Sequence, residues 1–444
     1  MTRKFRGAAT AIAASACIAL IAGCSGGQAP SASSTTDGAS APSGPITMTM
    51  WDNATTDEGK AWSENVIKQF EETHEGVTVE IQHVQNEDFD GKLQTALNAN
   101  EAPDVFMQRG GGKMRDMAAA GQLLDLMGTA ADTPELREAL GEAYFEANTV
   151  DGKLWAAPQL FQPDGIWYSK DLFEQAGITD TPKTVDDLYD AIDKLKAAGI
   201  APIALGGKDA WPAGHWFYLF ALRECSPEAM AAVQDYDFSD PCWVKAGQDV
   251  ADLAAKEPFN EGFLSTSAQQ GATSSAGLIA NHKAAMELMG SWEAGVVASL
   301  TPDGQPLADL GWFPFPTVEG GQGEPGALMG GGGGGGGFSC SANAPKDLCA
   351  DLLGLMNSAE NQIGFYKAFK TIPLHKGAKS AVTEEYNIQQ LDAIAEATYV
   401  SDFLDTLLGQ NVGNALNIAV VELLAGNTDA EGVVKAMSDA AAKG

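Results

Sequence analysis

The chain has 444 residues, a formal charge of −32 and a hydrophobic content of 45%. That share of apolar residues rules out a wholly disordered polymer despite the charge. The acidic balance excludes nucleic acid and anionic membrane surfaces as partners, because phosphate binding needs clustered Lys and Arg. At roughly 150 residues per domain, the length corresponds to two or three domains.

The chain opens with Arg3, Lys4 and Arg6, followed by an apolar run over residues 8–22. The run is shorter than the ~20 residues a spanning helix needs and suits a secretory signal. It ends in Leu20-Ile21-Ala22-Gly23-Cys24, which resembles the lipobox of bacterial lipoproteins. The resemblance implies a signal peptide over residues 1–23, a lipidated Cys24, and membrane attachment through that lipid alone. Removing residues 1–23 takes away three positive charges and leaves −35 on the exported body. Residues 24–45 are mostly Ser, Gly, Ala, Thr and Pro, which reads as a flexible tether.

The body alternates strands and helices. Residues 46–51 (ITMTMW) alternate as a strand does. Trp62, Val66, Ile67 and Phe70 share one face of a helix over residues 59–73. A strand follows over 77–83, then a helix marked by Phe89, Leu93, Ala96 and Leu97, then a short strand over 103–108. This β-α-β-α-β order predicts an α/β lobe with a mainly parallel sheet. A second block follows. Residues 165–169 read as a strand, and 171–176 begin a helix. Val185, Leu188, Ile192 and Leu195 line a helix over 184–198, with Thr184 and Asp187 spaced as a capping box. Another strand covers 201–205, and helices dominate after Pro345, the last starting near Asp429.

Motifs of common enzyme chemistry are missing. Gly-Lys pairs at Gly59, Gly91, Gly112, Gly152 and Gly207 are never followed by Ser or Thr, so there is no P-loop. Residues 321–326 match GxGxxG in letters but hold Pro325 and lead to polyglycine, so they read as a loop. No GxSxG nucleophile elbow occurs in the body, no HExxH occurs, and the five His are scattered. No cofactor and no metal are expected. Four cysteines remain in the exported body, and three pairings are possible. The local ones, Cys225–Cys242 and Cys340–Cys349, are favoured because short loops bring their ends together. A zinc site is disfavoured by the lack of CxxC or a nearby His.

Several stretches together point to a family. Ala102-Pro103-Asp104-Val105-Phe106 is followed by Ala120-Gly121-Gln122-Leu123-Leu124-Asp125-Leu126. Gly152-Lys153-Leu154-Trp155-Ala156-Ala157-Pro158 precedes the stretch from Trp167 to Ile178 (WYSKDLFEQAGI). Lys283-Ala284-Ala285-Met286 runs into Gly290-Ser291-Trp292, and Ala415-Leu416-Asn417 leads to a turn at Gly426. In this order they resemble the extracellular solute-binding proteins of ABC sugar importers, of the maltose-binding-protein type (solute-binding family 1). The resemblance spans residues 46–444. It implies an α/β, two-lobe periplasmic-binding-protein-like fold, with discontinuous lobes and a ligand cleft at the hinge. Lobe one would be 46–160 plus 337–378, and lobe two 161–336 plus 379–444. It also implies a monomeric, non-enzymatic binding protein. It would take a carbohydrate ligand on the outer face of the cell membrane and deliver it to the transmembrane subunits of an ABC permease.

A sugar site needs aromatic platforms for C–H faces and polar groups for hydroxyls. Trp51, Asp52 and Asn53 end the first strand, where open α/β sheets place ligands. Gln85, Asn86 and Glu87 follow the second strand and Arg109 the third. Phe161 and Gln162 lie at the first crossing between lobes, where the family contacts ligand. Trp211 and Trp216 are stacking candidates. Trp292 matches a family stacking residue, with Ser291 and Glu293 as polar neighbours, and His375 sits in the return segment. Residues 330–337 are all glycine. They read as backbone passing close to the ligand, with Gly334 and Gly335 at its centre. The alternatives are another solute, such as a glycerol phosphodiester or a peptide, and a surface glycoside hydrolase.

Overall fold

The computed structural model describes residues 44–333 and 335–443. The signal, Cys24 and the tether through residue 43, and also Gly334, lie outside the described residues. Alternation along β1 (Ile46–Asp52) buries Met48 and Met50 and leaves Thr47 exposed. β2 (Val77–His83) and β3 (Val105–Gln108) pair with it in parallel on either side. Helix Asp57–Thr73 lies between β1 and β2 in the chain, capped by Thr56, and buries Trp62, Val66, Ile67 and Phe70. Helix Asn86–Ala99 links β2 to β3. A hairpin of β4 (Thr149–Val150) and β5 (Lys153–Leu154) ends this part of the chain.

The chain then enters a second sheet through β6 (Gln162–Ser169). β7 (Ala201–Ile203), β8 (Ala284–Gly290), β9 (Leu310–Phe313) and β10 (Leu328–Gly331) follow. β8 runs antiparallel to β6 and parallel to β7. All seven residues of β8 are buried, so it shows none of the alternation that marks a half-exposed strand. β11 (Gly337–Cys340) returns to the first sheet, antiparallel to β3. β12 (Val400–Ser401) closes the edge of the second sheet against β10. The first sheet is ordered β11-β3-β1-β2 and the second β12-β10-β6-β8-β7.

Three crossings therefore link the sheets. The first runs from Ala157, bridged to Phe338, to the start of β6. The second, 332–336, lies between β10 and β11. The third leaves helix Ala359–Phe369, which packs on helix Asp57–Thr73 through Trp62 and Phe365, rings 5.2 Å apart. It ends at helix Glu385–Glu396 on the second sheet, and Leu160 bridges Pro373 where first and third crossings meet. Each sheet has its own core: Met48, Phe70 and Val105 in one, Ile192, Phe217 and Leu416 in the other.

The capping box forms as its spacing predicts. Asp187 N donates to Thr184 Oγ1 and Thr184 N donates to Asp187 Oδ2, at 3.1 and 2.9 Å. Both local disulfides form, Cys225–Cys242 and Cys340–Cys349, with Cα atoms 5.1 and 6.2 Å apart. No helix among the described residues is long and apolar enough to cross a membrane.

Gly336 and Gly337 are packed against protein backbone. A Cβ on Gly337 would stand 2.0 Å from the Ala157 carbonyl oxygen, and one on Gly336 would stand 2.8 Å from that of Arg109. Gly336 also exchanges hydrogen bonds with the buried Asn148: its N–H donates to Oδ1 at 2.7 Å and its carbonyl accepts from Nδ2 at 3.2 Å. These contacts set Gly336 and Gly337 against β3 and the first crossing.

Candidate functional site

The C-terminal ends of β1, β2 and β3 bring one polar group together. Asn86 Oδ1 accepts from Asn53 Nδ2 at 3.3 Å and from Arg109 Nη2 at 2.9 Å. Asp90, one helical turn on, takes Arg109 Nε at 3.0 Å and Lys113 Nζ at 2.9 Å. Burial alone would raise the Asp90 carboxyl, but Arg109 and Lys113 outweigh it and hold the group well below the usual carboxylate range. Trp51 is half-buried beside them, with Lys92 Nζ 4.6 Å from its ring centroid. Asp52 points the other way. It is buried, accepts from Ser63 Oγ and Ala54 N, and lies 2.6 Å from His83 Nδ1, so it ties β1 to β2 and to the first helix.

The second lobe contributes an aromatic box. Trp211 and Trp292 meet edge to face, with centroids 6.1 Å apart. His215 stacks on Phe403 at 4.4 Å and lies 6.3 Å from Trp292. Asp164, buried on β6, places Oδ2 2.8 Å from His215 Nδ1. Both Trp211 and Trp292 keep part of their surface open, yet their indole Nε1 atoms are buried with no hydrogen-bond partner. Gln270, from a second-lobe loop, reaches the first lobe: its Nε2 donates to Glu87 Oε2 at 3.0 Å and to Gln85 Oε1 at 3.3 Å.

Such a constellation offers aromatic faces for stacking and polar groups for hydrogen bonding. The family model for bacterial extracellular solute-binding proteins matches residues 53–363. The chain belongs to that family. Diacetylchitobiose binding protein DasA of Streptomyces coelicolor is 26% identical over 344 residues, covering 75% of this chain and 74% of DasA. Three other curated relatives are spanned less fully, over 49%, 40% and 61% of their lengths. Among solved structures, one from work on xylan utilization by Caldanaerobius polysaccharolyticus superposes with a TM-score of 0.80 at 26% identity. It covers 89% of this chain and 99% of its own. A chitin oligosaccharide binding protein gives 0.78 at 25% identity, covering 90% and 98%. These neighbours are two-lobe solute-binding proteins, and the chain shares their fold.

Within this solute-binding fold the anticipated residues fall into two sets. Asn53, Asn86 and Arg109 belong to the hydrogen-bonded first-lobe cluster, with Trp51 and Gln85 at the ends of β1 and β2, and Trp211 and Trp292 form the aromatic box. The others are buried or engaged elsewhere. Trp216 is 1% exposed, set edge-on to Phe259 and Phe315 in the second core. Phe161 is 2% exposed and belongs to the first core. Gln162 pairs with Gly331 at the start of β6. Ser291 is hydrogen-bonded to Thr371 on the third crossing. His375 accepts from Gly377 N at 3.0 Å and caps a short 3-10 turn, and burial lowers its pKa. Gly335 packs beside Asn148. Phe403 and Gln270 were not anticipated. Gln270 sits in a run of small polar residues that carries no periodic signal.

Glu293 is fully buried behind Trp292 and close enough to Glu287 of β8 for their charges to interact. Burial pushes the Glu293 carboxyl up to about 8. Burial and the nearby Glu293 charge raise Glu287 well above the usual carboxylate range. The native state thus holds protons that the unfolded chain releases, and stability falls as pH rises from 4.5 to about 8. The slope is at most about 1.4 kcal/mol per pH unit for each group. Thermal melts of Glu293→Gln should fall less steeply than wild type between pH 5 and about 8; identical profiles would show that the pair carries no excess proton.

One cluster among the described residues has metal-ligand composition. Asp171, His282 and Asp309 place ligand atoms within 4.8 Å of one another. Two of them already contact each other, with His282 Nε2 3.0 Å from Asp309 Oδ2.

Proposed function

We propose that this protein binds a neutral oligosaccharide outside the cell and passes it to an ABC permease. The observation that carries the reading is the Trp211–Trp292 pair, two part-exposed indole rings set edge to face at 6.1 Å. Sugar rings offer C–H faces to such rings. Names of relatives agree: one is diacetylchitobiose binding, another melibiose/raffinose/stachyose-binding. Arg109 and Lys113 are both engaged by Asp90, which favours an uncharged ligand over a phosphodiester. Glu287 and Glu293 form an interacting carboxylate pair, Glu293 next to Trp292 in the chain, but they are 2% and 0% exposed, so they are sealed from a substrate. A glycoside hydrolase needs its pair at the groove.

In this reading lobe one is 46–160 plus 337–378 and lobe two is 161–336 plus 379–444. The ligand contacts both, so closure follows from its differential affinity for the closed state. Cys24 carries the lipid, residues 24–45 tether a monomeric body, and the permease recognises the closed form.

The test is a thermal-shift and calorimetry panel on the mature protein with raffinose, stachyose, diacetylchitobiose, maltotriose and xylotriose. A sugar at 100 times its Kd should add ~2.7 kcal/mol of stability. If no carbohydrate moves the melt, the sugar reading falls. Sustained product formation from any of them would replace it with the hydrolase.

A further inference from the structure

Gln270 lies between the 3-10 turn Phe263–Ser265 and helix Ser275–Ala280. This second-lobe loop is held firmly. Ala268 N donates to Asp209 Oδ2 at 2.7 Å, and Ser275 Oγ donates to the Ala268 carbonyl at 3.0 Å. A Cβ on Gly206 would stand 2.6 Å from Ala268 Cα, so the loop lies directly on the segment after β7. Asp209 precedes Trp211 by two positions. The loop is therefore mounted on the segment that carries an aromatic platform. From there Gln270 reaches Glu87 and Gln85, at the corner where β2 enters helix Asn86–Ala99 of the first lobe.

Glu87 has a second feature. Oε2 takes the Gln270 hydrogen bond, while Oε1 is buried with no partner. A carboxylate oxygen shut away from water without a donor is unfavourable until one arrives. We propose that Glu87 couples ligand to closure: Oε2 latches Gln270 of the opposite lobe, and Oε1 accepts a hydroxyl of the bound ligand. A hydroxyl on Oε1 would fix the carboxylate plane and present Oε2 to Gln270, so ligand and latch would stabilise the closed state together. The same oxygen would repel a ligand carboxylate or phosphate, since both sides would be acceptors. The latch half rests on the two-lobe fold, and the hydroxyl half also rests on the sugar reading.

Separation-of-function variants test it. Gln270→Ala removes the latch and keeps the acceptor. Glu87→Gln keeps an amide oxygen for Gln270 but replaces the free acceptor with a nitrogen that cannot take a hydroxyl proton. Spin labels at Thr95→Cys and Lys194→Cys, exposed positions on opposite lobes, report the inter-lobe distance. In ligand-free protein, Gln270→Ala should shift the distances toward longer values, and Glu87→Gln should leave them as in wild type. In calorimetry with whichever of raffinose and diacetylchitobiose binds, Glu87→Gln should lose about 10-fold or more in affinity. An unchanged distance distribution in Gln270→Ala overturns the latch and leaves the sugar reading untouched. Wild-type affinity in Glu87→Gln overturns the hydroxyl contact. Failure of wild type to bind any sugar of the panel removes the hydroxyl half and the sugar reading together, while the ligand-free distances still decide the latch.

Discussion

Trp292→Ala is expected to weaken binding of the sugar identified by the panel by about 10- to 100-fold while the protein stays folded. The ring is half-buried, set between Trp211 at 6.1 Å and Phe403 at 6.0 Å, so its orientation is fixed before ligand arrives. It also lies over bare backbone. A Cβ on Gly290 would meet the Trp292 ring at 2.1 Å, which explains a glycine at that strand end. A platform held this way needs little further ordering on binding, so its removal appears in affinity. Trp216→Ala is the matched control. That ring is 1% exposed within the second core, and its loss should lower stability by about 3–5 kcal/mol. Calorimetry for affinity and thermal melts for stability separate the two. Equal affinity of Trp292→Ala and wild type would show that the box is not the platform.

Gly337→Ala is expected to destabilise the fold by about 3 kcal/mol or more. Its φ is 129°, where a side chain is strained, and a Cβ would stand 2.0 Å from the Ala157 carbonyl. That carbonyl is backbone on the first crossing and accepts from Phe338 N at 3.1 Å, so it cannot swing aside alone. The strain falls where the second crossing enters β11, so the hinge itself would shift. Gly91→Ala is the contrast: it lies inside helix Asn86–Ala99 with nothing within 4 Å of its Cβ. That change should stabilise by about 0.4–1 kcal/mol. Denaturant unfolding of the two variants checks both signs. A Gly337→Ala protein as stable as wild type would show that the crossing has slack.

Much of the frame was legible because it rests on local patterns. Alternation in residues 46–51, the apolar face from Trp62 to Phe70 and the Thr184–Asp187 cap each report a short-range cause, and each reappears as an element. The disulfide pairs follow from short loops within one fold. Periodicity fails where burial is complete. Helix Trp211–Glu224 buries every residue after its first, so no stripe told Trp216 in the core from Trp211 at its open end. β8 is hidden on both faces for the same reason.

By itself the sequence determined the α/β class, the family, the order of strands that opens the first lobe, and the polar residues at its strand ends. Those are properties of neighbouring residues, and pattern reports them. Only the tertiary structure decided which polar groups are already engaged and which are open. Asp52 has its partners in Ser63 and His83, and Arg109 has its own in Asp90. Glu87 keeps one oxygen free and meets Gln270 from across the chain. Hydrogen-bond satisfaction depends on groups far apart in sequence that the crossings bring together, and no local pattern encodes it.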